Sequence, residues 1–250
     1  MPALQAKIQR AESPPPLPRG PYAIPAVLVA ADQRRRLLEA LPLAVAERGF
    51  EGTTVDQIVK IAQVRRNSFY EQFEDKCDCF AVAYEIAQER LLGVLAYQCY
   101  AQAGLSDRIS FALGAGLDWL GANPALTKLI VVEAPTASAS IAAPHYEWLD
   151  RYSRLLRFAA IDSPEVDTPG LAVESAIVGG VVSRLKQKVL AGETRALPGL
   201  CQELSQFVLS FFDDLPPDSA SSAASKKRRR SQGVPPQPQS PGRTGVLEPA

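Results

Sequence analysis

The segment Thr53–Lys76 constrains the fold of this chain most, because its apolar residues are spaced for two short helices joined by a tight turn. A hydroxyl of the Thr53–Thr54 pair can cap the first helix, since it satisfies an otherwise unpaired backbone N–H. The apolar residues of that helix follow at helical spacing: Val55, Ile58, Val59 and Ala62. The pattern breaks around Gln63 and resumes with Phe69 and Phe73. The spacing therefore predicts two helices that meet at a sharp angle, with Val64 anchored in the turn.

The second predicted helix keeps its polar side chains away from the core. Phe69 and Phe73 lie four residues apart and share the inward face. Arg66 and Asn67 stand at the helix start, where a recognition helix contacts base edges in the major groove of DNA, and both carry suitable donors. Tyr70 is better suited to a phosphate. Spacing alone also fits an ordinary helical hairpin with a solvated polar face.

A longer series of fixed spacings runs from about Gln33 to Phe80. Its members are Leu37, Leu38 and Ala40, AERGF at Ala46 to Phe50, TTV, the turn at Ala62 to Val64, Phe69, Tyr70, Phe73 and Lys76. In these residues the segment resembles the DNA-binding domain of the tetracycline-repressor (TetR) family of bacterial transcription regulators. The resemblance implies an all-α protein with an N-terminal three-helix, helix-turn-helix DNA-binding domain and a C-terminal helical domain for ligand binding and dimerisation. It also implies DNA contacts at six positions: Thr54, Arg66, Asn67, Ser68, Tyr70 and Lys76.

Three residues depart from the family pattern. Gln63 stands where glycine is usual, so a side chain must adopt a conformation that favours glycine. Arg65 replaces the usual serine, which removes an N-cap but adds a charge suited to phosphate, so Arg65 joins the predicted DNA contacts. The ring of Pro42 clashes with the carbonyl of Leu38, which would cost about 3 kcal/mol in a straight helix, so the sequence predicts a kink there.

An alternative function is an all-helical small-molecule-binding or adaptor protein that has lost DNA binding.

Composition excludes several other classes of protein. A chain of 250 residues with 46% hydrophobic residues is ample for a buried core. Four cysteines and one histidine, His145, are not spaced for a metal site, and no catalytic motif is present, so we expect neither an enzyme nor a cofactor. No stretch is long enough to span a bilayer and the start lacks a secretory signal, so the expected location is cytoplasmic.

Net charge is zero, but basic residues are clustered. The clusters lie at Arg34–Arg36, at Arg65–Arg66 and at Lys226–Arg230, and local charge matters more than the sum for a polyanionic partner. Residues 1–30, rich in proline, are predicted to form a disordered arm, and residues 215–250 a disordered basic tail. Each terminal segment either adds attraction to DNA or is an inert solvated tail.

Between the two tails the pattern is helical throughout. We predict a DNA-binding domain at residues 31–78 and an effector-binding and dimerisation domain at residues 79–214, with about nine helices and no sheet. A stripe from Phe80 to Leu95 predicts a long helix that links the two domains. Further helices are expected near residues 106–121, 124–133, 139–160, 169–191 and 198–212.

Two surfaces complete the functional prediction. An apolar and aromatic set with one carboxylate is the candidate effector pocket: Phe111, Leu117, Trp119, Leu120, Leu129, Glu133, Tyr146 and Trp148. Small residues four apart in ESAIVGGVVSRLKQKVL, followed by an apolar helix, indicate a dimer interface, which the family resemblance also implies, or packing within one chain. The interface residues are Val178, Gly179, Val182, Leu185, Leu204, Phe207, Val208 and Phe211.

The function expected from these features is a homodimeric repressor that responds to an unknown small molecule. One short helix reads few base pairs, whereas paired helices about 34–36 Å apart can bind a palindromic double-stranded operator. A ligand among the middle helices would change the separation of the two DNA-reading heads. The expected mechanism needs no chemical reaction. The ligand binds the two separations of the heads with different affinity, and this difference supplies the free energy.

Overall fold

The computed structural model describes residues 25–137, 139–161 and 170–213, without the side chains of residues 139–143 and 213. Within these ranges the chain forms nine α-helices and no strand, which confirms the all-α prediction. The helices are α1 Ala26–Gly52, α2 Val55–Ala62, α3 Arg66–Tyr70, α4 Lys76–Tyr100, α5 Leu105–Ala122, α6 Pro124–Lys128, α7 Ala139–Ile161, α8 Leu171–Leu190 and α9 Cys201–Asp213. A π-helical turn, Leu129–Glu133, and a 3-10 turn, Ala134–Thr136, follow α6, and a 3-10 segment, Thr194–Leu200, precedes α9.

The predicted terminal segments lie largely outside the described residues. Helix α1 begins at Ala26, so the last residues of the predicted arm, 26–30, are helical. Nothing in the described ranges bears on residues 1–24 or on the basic tail.

The helix-turn-helix is built by local hydrogen bonds. Helix α2 starts with a capping box, in which Gln57 N donates to Thr54 Oγ1 at 3.4 Å and Thr54 N donates to Gln57 Oε1 at 2.9 Å. It ends at Gln63, whose φ of 53° and ψ of 42° are left-handed, as the missing glycine predicted. Helix α3 follows Arg65, which provides no side-chain cap, and α3 is shorter than the helical pattern to Phe73 suggested.

Arginines of α1 fix the position of this turn. Arg36 Nη2 donates to the Gln63 carbonyl at 3.0 Å, and Arg34 Nη1 donates to the Gln72 carbonyl at 2.9 Å. The Arg34 guanidinium also lies 4.5 Å from the centre of the Phe73 ring. The Arg34–Arg36 cluster, which the sequence suggested as local positive charge, therefore braces the helix-turn-helix against α1.

Helix α1 breaks at Gly49, not at the expected Pro42. Gly49 has a φ of 73° and a ψ of 168°, a conformation open to glycine, while Pro42 keeps helical dihedral angles. Proline fixes φ near the helical value, so Pro42 is compatible with helical dihedral angles. The chain beyond Gly49 turns so that the Phe50 amide faces out of the helix.

Phe50 joins three distant parts of the chain. Its N–H donates to Glu133 Oε2 at 2.9 Å, and its carbonyl accepts from Lys76 Nζ at 2.7 Å. The Phe50 ring packs edge-on against Phe80 with ring centres 4.8 Å apart. Lys128 adds a second link, because its Nζ donates to the Ala46 carbonyl at 2.8 Å. The π-helical turn is thus attached to the end of α1 and to the start of α4.

The hydrophobic core is continuous from the helix-turn-helix into the helices beyond it. One cluster joins Leu37 of α1 and Phe69 of α3 to Tyr84 of α4 and Leu197 near α9. A second, smaller cluster occupies the far end, around Ile109, Ala159 and Ile177. The predicted domain boundary after residue 78 therefore falls within α4 and within a shared core.

Replacing Gln63 with Gly should raise the free energy of unfolding by about 0.5–1 kcal/mol. Relief of a left-handed residue, about 1–2 kcal/mol, exceeds the extra backbone entropy of glycine, about 0.5–1 kcal/mol. Urea denaturation measures the change. Lys60→Gly, at an exposed helical position of α2, is the matched control and should lose about 1 kcal/mol. A lower free energy of unfolding in both variants would contradict the prediction.

Replacing Glu133 with Ala should lower the free energy of unfolding by about 1–3 kcal/mol, because the buried Phe50 N–H loses its acceptor. Glu133→Gln retains an acceptor oxygen and should lose less. Glu47→Ala removes an exposed carboxylate of α1 and serves as the control, with little change expected. Equal stability of Glu133→Ala and Glu47→Ala in urea would show that the link contributes nothing.

Candidate functional site

Helices α2 and α3 present a polar surface to solvent. The exposed residues on them and their caps include most of the predicted DNA contacts and one lysine that the sequence analysis did not select: Thr54, Lys60, Arg65, Arg66, Asn67 and Tyr70. Phe69, fully buried beneath them, holds α3 on the core as the four-residue spacing predicted. Lys60 could have been found from its place in the last turn of α2, close in sequence to Arg65.

Arg66 is held across this surface by two hydrogen bonds. Its Nη1 donates to Asp56 Oδ1 at 2.6 Å, and its Nη2 donates to the Tyr70 hydroxyl at 3.2 Å. The hydrogen bonds to Tyr70 and Asp56 raise the pKa of Arg66 above its ordinary value. Because the pair with Asp56 is exposed, it contributes little to stability and can be exchanged for a phosphate or a base edge.

Two residues predicted to contact DNA, Ser68 and Lys76, are not exposed on this surface. Ser68 is buried, because it lies on the side of α3 that packs on the domain, so its hydroxyl has no open path to a duplex. Lys76 is half-buried, and its amine is bonded to the Phe50 carbonyl and lies 4.3 Å from the centre of the Phe50 ring. Lys76 therefore joins α4 to α1, and a phosphate contact would compete with that bond.

An apolar cavity of about 150 Å³ lies among α4, α5, α7, α8 and α9. Its walls are mainly aliphatic: Leu91, Leu95, Ile109, Leu113, Leu117, Leu120, Leu155, Leu156, Ile177, Val181 and Leu185. Three lining residues have polar side chains, and these are Cys99, Arg108 and Tyr152. Such a cavity suits an apolar ligand with few polar groups.

Only part of the predicted effector pocket lines this cavity. Leu117 and Leu120 do, but the other six residues of that set lie elsewhere. Phe111 and Tyr146 are exposed, Leu129 and Trp148 are buried in the core, Trp119 is half-buried against the core, and Glu133 binds the Phe50 amide. Helical spacing marks an apolar face but does not distinguish a cavity wall from solid core.

Arg108 stands at the start of α5 and is nearly buried, with 9% of its surface exposed. Its Nε donates to the Gln102 carbonyl at 2.9 Å, and its Nη1 donates to the Ala159 carbonyl at 3.2 Å. Burial raises the pKa of Cys99, and the charge of Arg108 partly opposes that rise.

Tyr152 begins a chain of buried and partly buried hydrogen bonds between α7 and α4. Its hydroxyl donates to Gln88 Oε1 at 2.5 Å, and Gln88 Nε2 donates to the Tyr84 hydroxyl at 2.6 Å. The Tyr84 hydroxyl lies 3.0 Å from His145 Nδ1. Burial raises the pKa of Tyr84 to about 12 and lowers the pKa of His145. The Tyr84 and Tyr152 phenols therefore stay protonated at neutral pH and can act as hydrogen-bond donors.

The predicted dimer residues divide into two groups. Leu185, Leu204 and Val208 are buried in the core of their own chain, and Val178 and Val182 line the cavity. Gly179 and Phe207 are exposed and Phe211 is half-buried, so these remain available to a partner. The exposed residues of α8 include five small ones, Ala172, Ser175, Ala176, Gly179 and Ser183, and three larger ones at its ends, Leu171, Gln187 and Leu190.

The two glycines of α8 differ in their surroundings. A Cβ on Gly180 would lie 2.9 Å from Phe207 Cζ, so the ring of α9 rests on this glycine within the chain. A Cβ on Gly179 would meet nothing within 4 Å. The sequence left open whether these glycines pack within one chain or against a partner. Gly180 packs within its own chain.

The described residues contain no group of three or more metal-ligating side chains. In the same part of the chain, every helix falls short of the combined length and apolar character that crossing a bilayer requires.

Comparison with known proteins is consistent with this arrangement. Residues 44–83 match the family model of bacterial regulatory proteins of the tetR family. No curated protein gives a match.

Among solved structures, FadR from Bacillus halodurans, a fatty acid degradation regulator, has a TM-score of 0.64 at 16% identity, over 77% of this chain and 97% of that one. FadR from Bacillus subtilis, solved with stearoyl-CoA, has a TM-score of 0.63 at 15% identity, over 70% of this chain and 97% of that one. A TetR-like transcriptional regulator from Rhodococcus sp. RHA1 has a TM-score of 0.58 at 19% identity, over 78% of this chain and 98% of that one. Residues 44–83 therefore match the tetR family model, and over most of its length the chain shares its fold with these solved regulators.

Proposed function

We propose that the protein is a sequence-specific DNA-binding transcriptional regulator that acts as a repressor and releases its operator when an apolar small molecule enters the cavity. The observation that carries this proposal is the surface of α2 and α3, where Arg65, Arg66, Asn67 and Tyr70 are exposed above a buried Phe69. This arrangement places donors for base edges and phosphates on one short helix and its cap.

The operator partner of this surface is a palindrome read by a homodimer. Helix α3 has five residues, so one copy reads few base pairs. The exposed small-residue face of α8 allows close approach of the same helix from a second copy, flanked by Phe207 and Phe211 of α9. A two-fold axis at this face repeats α3 in a second half-site.

The cavity is the proposed effector site. Its volume of about 150 Å³ is of the order that holds one benzene-sized molecule, so a larger ligand must move the walls. Helices α4 and α5 are in close contact there, since a Cβ on Gly116 would lie 2.6 Å from Leu95 Cδ2. FadR from Bacillus subtilis, with the same fold, was solved with stearoyl-CoA, which supports an aliphatic effector.

Movement of α4 is the proposed link between ligand and DNA. The cavity contacts α4 at Leu91, Leu95 and Cys99, and the same helix begins at Lys76, which binds the Phe50 carbonyl. Displacement of α4 therefore shifts the helix-turn-helix relative to that of the partner copy. By linkage, the factor by which ligand weakens operator binding equals the factor by which operator weakens ligand binding.

The alternative, a ligand binder that has lost DNA reading, is not favoured. It rested on Gln63 and Arg65, but Gln63 adopts the left-handed conformation that the turn requires and Arg36 holds its carbonyl. Arg65 lies exposed beside α3, where its charge faces outward. No catalytic role is proposed for either surface.

Substitutions at α3 should separate base reading from phosphate binding. Asn67→Ala should cost about 1–3 kcal/mol on the preferred operator and little on random DNA, because a base-edge contact is lost. Arg65→Ala should weaken both alike and reduce the slope of log affinity against log salt by about 1. Gel shifts on an operator selected from a random DNA pool measure both.

Arg154→Ala, at an exposed arginine of α7 outside this surface, is the control for these gel shifts and should bind as the unmodified protein does. If Asn67→Ala and Arg65→Ala lose affinity in the same pattern, the assignment of their roles is wrong. If the unmodified protein selects no sequence at low salt, the proposed function fails.

Gly179→Arg should convert the dimer to a monomer, because an arginine on the small-residue face holds the copies apart and buries an unpaired charge. The substitution fits within one chain, since nothing lies within 4 Å of the added Cβ. Gly93→Arg, at an exposed glycine of α4 with equally open surroundings, is the matched control. Light scattering after size-exclusion chromatography gives the mass, and a dimer for both variants would reject this interface.

A further inference from the structure

The cavity presents almost no polar surface to a ligand. Among the described residues that line it, Cys99, Arg108 and Tyr152 have polar side chains, yet polar atoms contribute almost nothing to the surface of the cavity. Most ligand sites combine an apolar wall with a few polar groups that fix the orientation of the ligand. The bonds that these three side chains already make therefore decide which class of ligand the cavity can hold.

The guanidinium of Arg108 is bonded to the main chain of its own protein. Its Nε donates to the Gln102 carbonyl at 2.9 Å, and its Nη1 donates to the Ala159 carbonyl at 3.2 Å. Ala159 is buried, so a ligand anion that drew the guanidinium away would leave a buried carbonyl without its donor. A carboxylate in the cavity would therefore have to compete with bonds that the protein already makes.

The other two polar side chains lead to the same conclusion. The Tyr152 hydroxyl donates to Gln88 Oε1 at 2.5 Å, and Gln88 Nε2 donates to the Tyr84 hydroxyl at 2.6 Å. Burial raises the pKa of Cys99, so its side chain stays a neutral thiol, which is a weak hydrogen-bonding group. A ligand hydroxyl or carbonyl would lose its hydration here and gain no hydrogen bond without breaking one, which costs free energy.

The size of the cavity limits the ligand as well. Its volume of about 150 Å³ is of the order that holds one benzene-sized molecule. Helices α4 and α5 are in close contact beside it, since a Cβ on Gly116 would lie 2.6 Å from Leu95 Cδ2. One ring with a short alkyl group slightly exceeds this volume, so it would fill the cavity and press on α4, as the proposed release of the operator requires. A long acyl chain far exceeds it.

We propose that the effector is a compact hydrocarbon, about one ring with a short alkyl group, that carries neither an ionised group nor a hydrogen-bonding group. This inference rests on the proposed function of the cavity as effector site, and it specifies the chemical class of the effector. It separates this chain from FadR of Bacillus subtilis, which was solved with stearoyl-CoA. The wall selects by exclusion, because a polar group that enters it loses its hydration without compensation.

Three probes of matched shape test the proposal. Isopropylbenzene, benzamide and benzoate share a ring and a branched group of the same size, and they differ in polarity and charge. Calorimetric titration of the full chain should show saturable binding of isopropylbenzene, with benzamide about tenfold weaker or more and no binding of benzoate or decanoyl-CoA. Binding of benzoate or decanoyl-CoA as tight as that of isopropylbenzene overturns the proposal, and so does the absence of isopropylbenzene binding.

A variant that fills the cavity tests where the hydrocarbon binds. Val181 of α8 is half-buried and lines the cavity, so Val181→Phe should weaken isopropylbenzene binding by about tenfold or more. Val94→Phe, at a half-buried valine of α4 outside the lining, is the matched control and should bind as the unmodified protein does. Unchanged binding in both variants would place the hydrocarbon elsewhere and overturn the proposal. The order of affinities on the unmodified chain stays decisive if Val181→Phe does not fold.

The gel shift on the selected operator keeps this test apart from the proposed function. Release of the operator by isopropylbenzene and not by benzoate supports both. Release by benzoate or decanoyl-CoA and not by isopropylbenzene retains a ligand-responsive regulator but rejects the hydrocarbon. A chain that selects no operator, yet binds isopropylbenzene in a way that Val181→Phe weakens, rejects the proposed function and leaves the ligand class of the cavity in place.

Discussion

The position of the helix-turn-helix depends on the backbone of Phe50. Its N–H binds Glu133 of the π-helical turn and its carbonyl binds Lys76 of α4, so both backbone polar groups of one residue are used by distant elements. Gly49 makes this possible, because its positive φ turns the amide out of α1. The hydrogen bonds and the contact between the Phe50 and Phe80 rings make the end of α1 a fixed point for the three-helix domain.

Much of the fold was predictable because it is encoded locally. The apolar spacing and the cap at Thr54 define α2, and the phenylalanine pair defines the inward face of α3, so the helix-turn-helix follows from residues close in sequence. The link between Phe50 and Glu133 joins residues 83 apart, and no spacing rule reaches that far. The sequence therefore marked Glu133 as a polar residue in an apolar region but assigned it to a ligand instead of to the backbone of α1.

The cavity was harder to predict than the exposed surface of α2 and α3 for a related reason. Trp148 and Leu129 are large, apolar and buried, which fits a pocket wall as well as a core, and they fill core here. The cavity arises instead where aliphatic side chains of five helices fail to fill the space between them, and that depends on how the helices are arranged. Arg108 was not selected from the sequence because an arginine in the first turns of a helix usually faces solvent, and only tertiary packing shows that it is buried.

Tyr152 gives the cavity a contact path to the DNA-binding end. Its hydroxyl is bonded through Gln88 to Tyr84 on α4, and the Tyr84 ring stacks on Phe80, which packs on Phe50. The Gln88–Tyr84 bond is buried and the Tyr152–Gln88 bond is partly buried, so a ligand group that displaces the Tyr152 hydroxyl leaves Gln88 Oε1 without its donor unless α4 moves to restore one. Under the proposed function, the cost of an unsatisfied buried amide would couple occupation of the cavity to the position of the helix that starts at Lys76. A ligand that fills the cavity without moving α4 or breaking this chain would leave operator affinity unchanged, since only differential binding shifts an equilibrium.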